Sequence, residues 1–315
     1  MVSSIFAMWE TPCLSLVNDL VDEAFLVRLV VGIQTVGEQR KGRRGKNPVR
    51  LLDKPENIIL KESYKALFIT RTSYSFLYHR DYALRVDNSY SLQGVVEMAG
   101  TLPALICRIF SVSKQDGFYQ VLGIPFAQYL KMTLSAVRSF PLVGKNSLVL
   151  HGALGFASPF GNSVVIPYEQ RFYAGGSSSV RGWATRTLGP GSYLSDRSDD
   201  FLNRTGEVKL LLNVEYRLRT RSVIEFAFFL DAGNIWTIRE YSEQPGGQFN
   251  VATFYKEIAL SYGLGLRLEF DMFVFRLDAA MKAINPAYTG REKYPIINPK
   301  FSRDFALHFA IGYPF

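Results

Sequence analysis

The sequence predicts an all-β protein, an antiparallel transmembrane β-barrel, and three observations point to it. Apolar and polar residues alternate with a period of two along most of the C-terminal half, which is the side-chain period of a strand and not of a helix. The alternating runs are roughly twice the usual strand length of about 5–6 residues. Short and long connections take turns between them, as periplasmic turns and outer loops do in outer-membrane barrels. Alternation alone also allows a soluble sandwich, with apolar faces packed on each other. Run length, dense charge on the polar faces and aromatic residues at strand ends (Tyr216, Tyr262, Phe270, Tyr313, Phe315) favour the barrel.

The elements follow in chain order. Residues 1–60 show no clear alternation and form an atypical, poorly defined N-terminal segment, within which 24–36 is a candidate strand. "SLVNDLVDEAF" (Ser15–Phe25) carries the best helical signal of the chain. "MVSSIFAMWETPC" (Met1–Cys13) lacks a basic start and is interrupted by Glu10, so no export signal is visible. "AFLVRLVVGI" (Ala24–Ile33) is too short for a spanning helix, which needs about 20 apolar residues, and holds Arg28. Weaker alternating runs lie at Ala66–Tyr78, Ser89–Gly100, Ala127–Phe140 and Ser147–Phe156. The long connection 158–204 follows. In "GEVKLLLNVEYRL" the apolar face is Val208, Leu210, Leu212, Val214, Tyr216 and Leu218, with Lys209, Asn213, Glu215 and Arg217 opposite. After the tight turn Thr220–Ser222, "IEFAFFLDAG" sets Ile224, Phe226, Phe228 and Leu230 against Glu225, Ala227, Phe229 and Asp231. A second reading makes Asp231 a strand-end turn residue. "EIALSYGLGLRLEF" (Glu257–Phe270), "FVFRLDAAM" (Phe273–Met281) and "FALHFAIGYPF" (Phe305–Phe315) repeat the alternation. The last of these sets Phe305, Leu307, Phe309, Ile311, Tyr313 and Phe315 on one face.

Composition narrows the function. The chain has 315 residues, 48% hydrophobic and 14% aromatic, which excludes disorder as the overall class. The net charge of +8 is spread over loops and polar faces, apart from "RKGRRGK" (Arg40–Lys46), a solvated loop or a neighbour of anionic headgroups; nucleic acid is not an expected partner. Cys13 and Cys107 make no disulfide framework and no metal-ligand spacing. His79, His151 and His308 are scattered. No Ser-His-Asp or Cys-His arrangement has supporting context. No catalytic residue, metal or cofactor is expected.

One stretch carries a specific signal. "RFYAGGSSSVRGW" (Arg171–Trp183) reads as a loop, yet it holds two arginines and three aromatics. Gly175, Gly176, Val180, Arg181, Gly182 and Trp183 resemble, in order, the signature loop of the BamA/TamA outer-membrane assembly family, also called the bacterial surface antigen family. "ATRTLGPGS" (Ala184–Ser192) resembles its continuation, and "FFLDAGNIW" (Phe228–Trp236) resembles its next landmark. The terminal "IGYPF" looks like the end of TamL-type proteins of Bacteroidetes. The resemblance covers roughly residues 61–315, the expected barrel domain.

The resemblance implies that the loop within 158–204 folds back into the barrel lumen. Its arginine, Arg181, would be held by Glu215 and Asp231, two acids that strand parity independently sets on the polar faces. Gly263 and Gly265 would face the lumen and leave room for the loop; ordinary bulge glycines are the other reading. Tyr313 and Phe315 would form a C-terminal strand signal, with Ala310 where that signal prefers glycine. The family barrel has sixteen strands preceded by POTRA domains. The nine or ten strands expected here read as its C-terminal part, a truncated copy. The implied function is insertion, assembly or translocation of proteins in the bacterial outer membrane. The alternative is a passive pore or secretion-partner transporter on the same barrel. Expected partners are outer-membrane lipids, nascent outer-membrane proteins and a periplasm-spanning TamB-like protein.

Overall fold

The computed structural model describes residues 5–8, 22–34, 67–81, 88–115, 117–195, 200, 203–220, 223–270 and 272–315. The strands are β1 (Ile5–Met8), β2 (Asp22–Gln34), β3 (Leu67–Asp81), β4 (Ser89–Ala99), β5 (Gln120–Val121), β6 (Ile124–Pro125), β7 (Tyr129–Pro141), β8 (Ser147–Pro159), β9 (Val208–Arg219), β10 (Ile224–Trp236), β11 (Ala259–Glu269), β12 (Val274–Ile284) and β13 (Phe305–Ile311). Among the described residues two α-helices join them, α1 (Thr101–Ile109) and α2 (Phe301–Asp304). β5 and β6 form a small hairpin of their own. The other strands make one 11-stranded sheet in the order β1-β2-β3-β4-β7-β8-β9-β10-β11-β12-β13, with β1 and β13 at its edges. Every pairing in it is antiparallel.

Periodicity counts nine or ten of these strands. The added one is β1, whose four residues are too few to show alternation. Both β1 and β2 precede residue 60 and join the same sheet as β3. Of the helical signal over Ser15–Phe25, residues 22–25 lie in β2, and 15–21 fall outside the described residues. Cys13 and the Arg40–Lys46 cluster also lie outside them; Cys107 is buried in α1. No helix among the described residues is long and apolar enough to cross a membrane.

The alternation faces the way a membrane barrel requires. On β10, Phe226, Phe228 and Leu230 are exposed while Glu225, Ala227, Phe229 and Asp231 are buried. Leu212, Val214, Leu264, Leu307, Phe309 and Ile311 are likewise exposed. A sheet that turns large apolar chains outward and charges inward is at rest only when lipid covers its outside. Phe270, Phe273 and Phe275 cluster at one end of the wall, with ring centroids 4.9–5.9 Å apart, as an aromatic girdle would. The connections at that end are short (142–146, 220–223, 270–273), and those at the other are long (100–128, 160–207, 237–258, 285–304).

Candidate functional site

The centre of the barrel is the loop between β8 and β9, which turns inward. Gly175 and Gly176 make the turn, with φ of +94° and +101°, a region that side-chain-bearing residues avoid. The Gly176 amide then donates to the Trp183 carbonyl at 2.9 Å and the Trp183 amide to the Val180 carbonyl at 3.2 Å. These bonds close the segment on itself. Its apolar side chains reach the barrel mouth: Phe172, Ala174, Val180, Trp183 and Leu188 form one buried cluster with Ala157, Leu211 and Ile235 of the wall. At the root of the loop, Arg171 pairs with Glu207 at 2.8 Å, and the Tyr241 hydroxyl donates to the same carboxylate at 3.3 Å. Burial, with the Glu207 charge adding to it, pushes the Tyr241 phenol up to about 12.

Arg181 is fully buried. Its Nη1 lies 2.7 Å from Glu215 Oε2. Its Nε and Nη2 each lie 2.8 Å from one oxygen of Asp231, a bidentate fork. The Arg181 backbone amide donates to Asp231 as well, at 3.0 Å. The guanidinium carbon sits 3.5 Å above the centre of the Phe229 ring, so the apolar residue on the polar face of β10 serves as a cation platform. Asp231 stands inside β10, which runs on to Trp236; it is not a turn residue. The Gly182 amide donates to Ser261 Oγ at 3.1 Å, and a Cβ on Gly182 would come within 2.6 Å of Ser261 Cβ. Only glycine lets the loop lie this close to β11.

Parity alone does not show how far the charge network spreads. Glu215 also takes Arg217 Nε at 2.8 Å and Arg267 Nη2 at 2.9 Å. Asp278 lies between Arg276 (3.3 Å), Arg267 (3.5 Å) and Arg181 (3.8 Å). Arg217, Arg267, Arg276 and Asp278 all have lumenal parity, and that was their available signal. A polar chain continues to β8. Asn213 donates to Asp231 and to the Ser179 carbonyl, both at 2.8 Å. Its carbonyl oxygen therefore accepts from His151 Nδ1 at 2.9 Å, which leaves His151 Nε2 to accept from Ser135 Oγ at 3.1 Å. His308 of the edge strand β13 donates from Nε2 to the Arg181 carbonyl at 2.8 Å. Nothing in the spacing of the three histidines signals these contacts.

Two expectations are corrected. Gly263 and Gly265 do face the lumen, but the space they leave is not taken by the loop. A Cβ on Gly263 would strike the Phe229 ring and the Ala279 carbonyl, and one on Gly265 would strike Arg267 and Asp278. The glycine that admits the loop directly is Gly155, where a Cβ would lie 2.7 Å from the Phe172 ring. Gly263→Ala is therefore expected to destabilise the barrel by about 1–3 kcal/mol through overpacking. The check is the urea midpoint of the barrel folded in lipid vesicles, with Gly94→Ala, where the added carbon has room, as the neutral control.

The second correction concerns Tyr313 and Phe315. β13 ends at Ile311, and Gly312, with φ of +90°, turns the chain into the lumen. The Tyr313 hydroxyl lies 3.2 Å from Arg219 Nη2, and Arg217 sits 4.5 Å from the centre of its ring. Phe315 stacks on His151 with centroids 4.8 Å apart. These two aromatics are lumenal, not part of a lipid-facing strand end.

A family model and several known proteins match the chain. The Omp85 superfamily domain matches residues 109–315. The outer membrane protein assembly factor BamA of Neisseria meningitidis serogroup B is 28% identical over 154 residues, covering 43% of this chain and 19% of that protein. Among solved structures, BamA from Haemophilus ducreyi lacking POTRA domains 1-3 superposes with a TM-score of 0.43 at 13% identity, over 92% of this chain and 58% of that one. CdiB from Acinetobacter baumannii gives 0.34 at 14% identity, over 92% and 47%. The chain spans only part of the length of each of these relatives.

Proposed function

Because the chain belongs to the Omp85 superfamily, we propose that this barrel assembles or inserts proteins in the bacterial outer membrane, where members of the superfamily reside. The observation that carries the proposal is the locked loop: Arg181 fully buried against Glu215 and Asp231 inside a lipid-facing wall. A side chain held by this many charge-assisted bonds is a fixed structural strut, and nothing about it resembles a nucleophile or an acid–base pair. The work would be done by the backbone. β13 is a sheet edge, and an edge offers unpaired amide and carbonyl groups to an incoming strand. His308 ties that edge to the loop through the Arg181 carbonyl, so loop and edge would move together. Residues 61–315 would form the main part of the barrel unit, with β1 and β2 of the preceding segment extending the same wall. Nascent outer-membrane proteins would be the clients, and a TamB-like protein spanning the periplasm would be a fitting partner.

A passive pore or secretion-partner transporter is the second reading. It asks for an open lumen, whereas here the loop and its charge network occupy it. Depletion of the protein in a strain sensitised for outer-membrane assembly separates the two. Assembly function predicts a several-fold fall in folded outer-membrane proteins. Unchanged levels, together with single-channel conductance for a dedicated substrate, would favour the transporter.

A further inference from the structure

The connection between β4 and β7 leaves the wall at its long-loop end and carries α1, one face of which the barrel does not cover. Leu102, Leu105, Ile106 and Ile109 recur at helical spacing and form one stripe. They are exposed, from 46% at Leu102 to 66% at Ile109, and Phe110 just beyond is 74% exposed. The opposite face packs inward through Pro103 and Cys107. So contiguous a run of large apolar side chains marks a contact surface.

Its position names the partner. Gly100, with φ of +70°, turns the chain out of β4 into the helix, and a Cβ there would strike the Ala127 carbonyl. The stripe thus begins within a few residues of Met98, which is outward-facing and 43% exposed; on the neighbouring strand Met132, opposite Val96, is 44% exposed. It continues the lipid-facing band around the rim. Charge agrees: from Thr101 to Gln115 there is no acidic residue, while Arg108 and Lys114 are both present and exposed.

We propose that α1 is an interfacial anchor, lying in the plane of the outer leaflet. Its Leu102–Phe110 face sits among acyl chains, and Arg108 and Lys114 reach the phosphates of anionic lipid. A short helix with an apolar stripe and basic flanks binds a membrane surface through these two contributions together. The anchor would fix the rim beside the inward loop, independently of which client the barrel serves.

Bimane fluorescence on single cysteines tests this, with Leu105→Cys and Ile109→Cys made in a Cys13→Ser, Cys107→Ala chain reconstituted in vesicles. Lipid-borne nitroxides are expected to quench labels at 105 and 109 several-fold more than a label at Lys145, in a turn at the other end. The quenching should match that of a label at the lipid-facing Leu134. Strong quenching at 134 with none at 105 and 109 would overturn the proposal. So would labels shielded from both nitroxide lipid and aqueous acrylamide, which would mean a protein covers the stripe. Adding phosphatidylglycerol to phosphatidylcholine vesicles should deepen the quenching at 105, and Arg108→Gln with Lys114→Gln should remove that increment. The absence of any increment in the parent chain would overturn the anionic-lipid part.

Discussion

Arg181→Ala is expected to lower the stability of the barrel by about 3–5 kcal/mol, the usual loss when one partner of a buried ion pair is removed. The mechanism is abandonment of the remaining partners. Asp231 loses both arms of its fork and the Glu215 carboxylate loses its shortest contact, and both acids are fully buried. Phe229 also loses the cation above its ring. The loop should then be released, so trypsin should cut the variant at Arg186 or Arg204 while the parent resists. Loss of heat-modifiable gel mobility at a lower temperature is the second readout. Arg181→Lys should recover only part of the loss, because an ammonium keeps the charge but not the planar fork. Unchanged protease resistance in Arg181→Ala would refute the strut role.

Glu215→Gln is expected to have an effect of the same order, about 3–5 kcal/mol, for a different reason. The shape survives but the charge does not, and three guanidiniums, those of Arg181, Arg217 and Arg267, lose a shared counter-ion. Repulsion among them should loosen the lumenal side of β9, β11 and the loop at once. Arg181→Ala and Glu215→Gln should not add when combined. Residues in one network couple, so the double variant is expected to fall short of the sum by about 0.5–3 kcal/mol. Chemical denaturation of the four proteins in one lipid composition gives that coupling directly, and a strictly additive result would mean that the two groups act separately.

Much of this was legible in the residues because a barrel wall obeys a simple rule. Alternation separates lipid-facing Phe226, Phe228 and Leu230 from lumenal Glu225 and Asp231 without any knowledge of contacts. The same rule ranks Glu215, Arg217, Arg267, Arg276 and Asp278 as lumenal, but it carries no information on which charge meets which across the barrel. That depends on strand stagger and side-chain reach. The alternation also runs on through Tyr313 and Phe315 as if the strand continued. Only the left-handed turn at Gly312 breaks it, and one glycine gives no warning of direction. The place of Phe229 on the polar face of β10 is explained by the Arg181 guanidinium above its ring, a contact that parity does not show.

The loop lock also has a consequence for the order of folding. The contacts that hold Arg181 and Gly182 span 34 residues to Glu215, 50 to Asp231, 79 to Ser261 and 127 to the His308 side chain. All of these partners lie later in the chain than the loop, so the loop cannot be fastened when it is made. Closure entropy rises slowly with separation, about 0.6 kcal/mol per doubling, so the farthest bond carries only about 1 kcal/mol more penalty than the nearest. Rate is affected more than stability, since non-local contacts slow folding. The β9–β10 contacts should form first and the bond to β13 last. Docking of β13 thus coincides with the last tether of the loop.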